Sequence, residues 1–238
     1  MTTTTLNPQA TTQRLSSLTW TALVVTLVVY PALYSSGIMS GIVGPIIVDQ
    51  SRAHWWYFWL ANMLFHWLPF ALIWLAIHRT GEGWKSIGVD WGWFWRVRWW
   101  AGTLFVLLAI AAIVMPRIHY GDELPGISQT VFLAPVSSVE RLWVIWGAVT
   151  AGVAEEVLFR GFALTRLTRV VRSPWLALPI TVIAFIFIHG TPRDPGSLIA
   201  YAGAGLAFGI PFILMKMKRL EILIAIHFLI DASMVLAP

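Results

Sequence analysis

The polar and apolar positions of this chain fall into long blocks. Apolar runs occupy about residues 18–34, 55–77, 101–115, 140–164, 174–189, 198–215 and 220–236, with short polar segments between them. A helix needs roughly 20 largely apolar residues to cross a bilayer. The runs therefore predict an all-α, polytopic transmembrane helix bundle of about seven spans. The 101–115 run is short unless Trp99 and Trp100 join it, and a Gly- and Ser-containing stretch as far as Val48 blurs the exit of the first run. Five Trp residues (Trp91, Trp93, Trp95, Trp99 and Trp100) stand beside Arg96 and Arg98, a mixture that predicts a Trp-rich interfacial segment. Residues 1–17 are Thr-rich with one charged side chain, Arg14, and predict a disordered cytoplasmic tail. The first run is too long, and too far from the terminus, for a cleaved signal peptide, so residues 18–238 read as a single transmembrane domain.

Composition agrees. The 238 residues are 58% hydrophobic and 11% charged, with a mean hydropathy of +0.75. A soluble domain carries about 25% charged residues. There is no cysteine, which excludes disulfides, a thiolate nucleophile and thiolate metal sites. The net charge of +5 does not point to nucleic acid, because in a membrane protein such an excess sits in cytoplasmic loops facing anionic headgroups. With the N-terminus inside, the inside segments hold Arg14, Arg79, Lys85, Arg96, Arg98, Arg166, Arg169, Arg172, Lys216, Lys218 and Arg219. The outside segments hold only Arg52, Arg117, Arg141 and Arg193. That alternation predicts a multi-pass protein of the cell membrane with a cytoplasmic N-terminus.

The candidate chemistry begins at Glu155, Glu156 and Arg160, inside the 140–164 run. An ionisable residue at the centre of a span costs roughly 2.5–3.5 kcal/mol on insertion scales, which makes it a functional-site candidate by default. Glu156 and Arg160 are four apart, so they share a helical face and can pair. Glu155 is rotated about 100° from Glu156 and has no such partner in sequence. A bland reading makes the trio an ion pair that locks helices together.

Two further runs carry polar pairs at the same spacing. Phe185 and His189 share a face of the fifth span, and His227 and Asp231 share a face of the seventh. His66 lies inside the second span, where a bond to a backbone carbonyl explains it without catalysis. His54, His78 and His119 fall in loops and read as solvated.

Together, Glu155, Glu156, Arg160, His189, His227 and Asp231 can deprotonate water, polarise a carbonyl and stabilise an oxyanion. Glu155, His189 and His227 are also the candidate ligands for one divalent metal ion such as zinc. No Ser sits with a His and an acid in a triad pattern, so water is the expected nucleophile. Depth raises a tension. At about 1.5 Å per residue, Glu155 lies roughly 16 Å from the inner basic edge and His189 roughly 22 Å. They meet only if the fifth span is tilted or begins deeper than Pro174.

The patterns Glu155-Glu156-x-x-x-Arg160, Phe185-x-x-x-His189 and His227-x-x-x-Asp231 resemble the three motifs of the CPBP intramembrane proteases. That family includes the eukaryotic CAAX-processing endoprotease and the bacterial bacteriocin-processing and immunity (Abi) proteins. The resemblance covers about residues 140–238. It implies an intramembrane endopeptidase, classed with metalloproteases, acting on a peptide or membrane-protein substrate, lipidated or not. It implies that Glu155 activates water with help from His189, that Glu156 and Arg160 orient the site, and that His227 and Asp231 hold the oxyanion. An ionised Asp cannot donate to an oxyanion, so Asp231 needs a proton, a metal or an orienting role. Two other readings compete: a non-enzymatic membrane immunity or scaffold protein, and a proton-coupled transporter, which the lack of paired broken helices disfavours.

Overall fold

A computed structural model of the chain describes residues 15–36, 52–90, 135–189 and 195–232. All regular structure among them is helical. The helices are α1 (Ser17–Ser35), α2 (Arg52–Arg79), α3 (Ser138–Val171), α4 (Pro174–Phe187), α5 (Pro195–Leu214) and α6 (Leu220–Ala232). A 3-10 turn, Trp84–Ile87, follows α2. Helices α1, α2, α3 and α5 are each long and apolar enough to cross a membrane, whereas α4 is apolar but only 14 residues long. The expectation of about seven spans thus meets four helices of spanning length and two shorter ones among the described residues. The expected run at 101–115, the Trp-rich stretch 91–100 and most of the N-terminal tail lie outside the described residues.

Helix α3 is the axis of the bundle. It packs against α1, α2, α4, α5 and α6, and 61% of its apolar window is buried, against 33% or less in the other three long helices. Its start is set by sequence: Ser137 Oγ accepts from the Glu140 amide at 3.2 Å, and the Glu140 carboxylate accepts from the Val136 amide at 2.7 Å. This satisfies donors that a helix N-terminus leaves orphaned. Residues Glu156–Leu164 are wound as a π-helix, and all nine are buried. Such widened turns occur preferentially at functional sites. Gly152 lets α6 approach: a Cβ there would lie 2.9 Å from the Phe228 amide nitrogen and 3.0 Å from the Ile224 carbonyl oxygen.

The sequence suggests that α3 ends near Leu164, before the Arg-rich segment. In the structure it continues to Val171. Arg166 is only 1% exposed, and its guanidinium is neutralised by Glu82 and donates to Ser86 Oγ at 3.0 Å and the Ser86 carbonyl at 3.2 Å. The charge marks a contact with the turn after α2, and the helix passes through it. This resolves the depth tension. Val171 is 16 residues after Glu155, and His189 is 15 residues after Pro174. At about 1.5 Å per residue the two arms of the α3–α4 hairpin are nearly equal, so both side chains reach the same level.

The turn after α2 closes one end of the bundle. Arg169 Nη1 donates to Glu82 Oε1 at 3.3 Å, Arg219 Nη1 to Asp90 Oδ2 at 3.3 Å, and the Leu220 amide to the Gly88 carbonyl at 3.0 Å. Gly88 has a φ of 91°, a conformation that favours glycine. Basic residues thus gather at this end, joining α2, α3 and α6.

Candidate active site

The two adjacent carboxylates of α3 face different neighbours, as their rotation requires. Glu156 is fully buried and points toward α6 and α5. Its Oε1 accepts from Arg160 Nη1 at 3.0 Å and from His227 Nδ1 at 2.9 Å. Arg160, 3% exposed, donates from Nη2 to the Ala204 and Gly205 carbonyls of α5, each at 3.4 Å. Its guanidinium lies over the Phe185 ring at 4.3 Å and near that of Phe208 at 5.3 Å. A buried guanidinium is tolerable when it is paired, hydrogen-bonded and stacked in this way. Phe185 also touches Phe159 edge-on at 5.5 Å, so the second motif's aromatic residue is packing for the first motif's arginine.

Glu155 points toward α2. It is 5% exposed, and Oε1 lies 2.9 Å from Nε2 of His66, itself 4% exposed. The expectation that Glu155 lacks a partner is therefore corrected: its partner comes from a helix 89 positions earlier in the chain. His66 is more than the carbonyl-bonding residue that its place in the second span suggests. The carbonyl bond exists, from Nδ1 to the Asn62 oxygen at 2.6 Å, and the second nitrogen serves the site as well. The cost of a titratable group within a span, which singled out Glu155, applied equally to His66 and was the available signal.

Oε2 of Glu155 is buried and makes no hydrogen bond. His227 Nε2 lies 3.9 Å from it and 3.5 Å from Asp231 Oδ2. The third motif thus spans both carboxylates of the first, with one ring nitrogen on Glu156 and the other between Glu155 and Asp231. His189 donates from Nδ1 to the Phe185 carbonyl at 2.9 Å and stacks on Tyr201 at 4.5 Å, leaving Nε2 as its free nitrogen.

Trp59, Asn62 and His66 of α2, Gly147, Ala148, Ala151 and Glu155 of α3, and Ile188, His189 and Asp231 line one cavity of about 200 Å³. Glu155, His189 and Asp231 therefore do meet, as the motifs require, with His227 bonded at the wall. The small side chains on α3 leave the space in front of Glu155 open. On α2 and α3 the lining residues run from the part remote from the basic end to the helix middles, where His66 and Glu155 sit.

Among the described residues no group of three or more His, Asp or Glu side chains is placed to hold a metal ion. The Nδ1 atoms of His66, His189 and His227 are engaged with Asn62, Phe185 and Glu156, and His66 Nε2 with Glu155. The candidate ligands keep Glu155 Oε2, His189 Nε2 and His227 Nε2 outside these hydrogen bonds, and no step below runs through a metal.

A family model described as type II CAAX prenyl endopeptidase, Rce1-like, matches residues 135–233. No curated protein and no solved structure is detectably similar to the chain. The matched stretch contains Glu155, Glu156, Arg160, His189, His227 and Asp231, whereas His66 lies outside it. With its four helices of spanning length, the chain fits an integral membrane protein. Residues 135–233, which carry the three motifs around this cavity, are thus similar to the Rce1-like type II CAAX prenyl endopeptidases, in agreement with the resemblance of those motifs to the CPBP proteases.

Proposed function

We propose that the protein is an intramembrane endopeptidase in which Glu155 activates water. The observation that carries this reading is the free Oε2 of Glu155, buried at a cavity lined by His66, His189 and Asp231. Water in the cavity gives a proton to Oε2 as its oxygen attacks the substrate carbonyl carbon. His189 Nε2, whose Nδ1 proton is committed to Phe185, is an acceptor that orients the same water. The tetrahedral intermediate collapses with cleavage of the C–N bond, and Glu155 passes its proton to the departing amine.

His227 can donate to the oxyanion from Nε2 only when its ring carries both protons, since Nδ1–H is given to Glu156. Asp231 Oδ2, 3.5 Å from Nε2, orients that ring rather than binding the oxyanion itself. Glu156 and Arg160 hold the arrangement together from behind.

The basic end is read as cytoplasmic, which sets the cavity from the middle of the membrane outward, away from the cytoplasm. The substrate is a peptide or membrane-protein segment, lipidated or not.

The test is Glu155→Gln, assayed on farnesylated CAAX peptides and on unlipidated peptides of the same sequence. Loss of a general base lowers the rate by about 10²–10⁴-fold. The folded variant should lose cleavage while keeping its melting temperature. Wild-type turnover in that variant would exclude the role assigned to Glu155, and a wild-type protein inert on every peptide would favour a non-enzymatic membrane partner.

A further inference from the structure

We propose that His66 is a fourth functional element of the site, a positioning residue that fixes Glu155 for attack. This rests on the reading of Glu155 as the water-activating group. It goes beyond the three motifs, since α2 lies wholly outside the residues that match the family.

The argument is one of hydrogen-bond direction. A backbone carbonyl only accepts, so the 2.6 Å contact between His66 Nδ1 and the Asn62 oxygen places a proton on Nδ1. The opposite nitrogen then lies 2.9 Å from Glu155 Oε1, another acceptor. Two lone pairs would repel at that distance, so a ring that carries both protons donates from Nε2 to Oε1 and leaves Glu155 a carboxylate. The hydrogen bond pins one oxygen of Glu155 and aims the other, Oε2, which makes no hydrogen bond.

The ring itself is held. Tyr30 and Tyr34 of α1 pack edge-on against it, with centroids 6.1 Å and 6.4 Å away. Tyr34 Oη donates to Asn62 Oδ1 at 3.3 Å. Asn62, whose carbonyl accepts from Nδ1, is therefore itself tied to α1. The chain α1–Asn62–His66–Glu155 has the form of an outer shell supporting a reactive group, in which each member is fixed by the one behind it. It also assigns α1 and α2 a task that the motifs leave unexplained: they carry the orienting arm of the site.

The test compares His66→Leu, which removes the donor, with His66→Gln, whose amide can donate to Oε1. Outer-shell losses of this kind cost about 10–100-fold in activity. On a farnesylated CAAX peptide, His66→Leu should lower kcat by about that factor with KM within about twofold, and His66→Gln should recover part of it. An unchanged kcat in a folded His66→Leu protein overturns the proposal, and so does a loss that His66→Gln does not relieve.

A second readout needs no turnover. In protein with ¹⁵N-labelled histidine, the His66 Nε2 resonance, identified by its loss in His66→Leu, should shift on Glu155→Gln. No shift overturns the proposal. A shift in protein that cleaves none of the peptides upholds the His66–Glu155 contact and places the failure in the endopeptidase reading.

Discussion

His227 Nδ1 and Arg160 Nη1 converge on a single atom, Oε1 of Glu156, at 2.9 Å and 3.0 Å. Glu156 therefore never faces the cavity. It is the joint through which α3 fixes both the imidazole of α6 and, by way of Arg160, the backbone of α5. The adjacent Glu155 is left to do chemistry, so neighbouring carboxylates divide orientation from reaction.

That joint predicts a separation of stability from activity. Arg160→Leu leaves the Glu156 carboxylate buried without its cation and should lower stability by about 3–5 kcal/mol. Replacing both residues, Glu156→Leu with Arg160→Leu, should recover much of that stability. The double variant should nonetheless stay inactive, because His227 Nδ1 has lost its acceptor. Unfolding in detergent and peptide cleavage, measured on the same preparations, test the pair. Additive stability losses would show that the two side chains are not coupled.

The basic end makes a pH prediction. Burial pushes the Glu82 pKa up, but Arg166, Ser86 and Arg169 outweigh it, and the carboxyl sits below its ordinary range. A depressed carboxylate stabilises the fold fully above its unfolded pKa of about 4.3, and that contribution is lost as pH falls through the folded value. The melting-temperature gap between wild type and Glu82→Gln should stay constant above about pH 5.5 and shrink below about pH 4. A gap that widens in acid would contradict the clamp.

Orientation can be measured without background, because the chain has no cysteine. Val136 is 73% exposed just before α3, and Lys218 is exposed at the basic end. In sealed right-side-out vesicles, a membrane-impermeant maleimide should label Val136→Cys at once and Lys218→Cys only after permeabilisation. The reverse pattern would put the basic end outside and set the cavity from the middle of the membrane toward the cytoplasm.

Much of this site was legible because its motifs are helical. Glu156 with Arg160, Phe185 with His189, and His227 with Asp231 are each four apart, and that spacing alone puts each pair on one face. The structure keeps all three pairs in contact or in the same ring cluster. Periodicity also marked the helices, but it misplaced the end of α3, since nothing local shows that Arg166 has Glu82 and Ser86 as distant partners. The pairing of His66 with Glu155 was illegible for the same reason. The two residues are on different helices, and no spacing rule connects α2 to α3.

The central claim is that water, aimed by Glu155, attacks the substrate directly. A single turnover in H₂¹⁸O, read by mass spectrometry of the cleaved peptide, tests it most directly. The mechanism predicts one ¹⁸O in each new C-terminal carboxylate. A new carboxylate carrying only ¹⁶O, its oxygen supplied by Glu155 through an acyl intermediate, would contradict it.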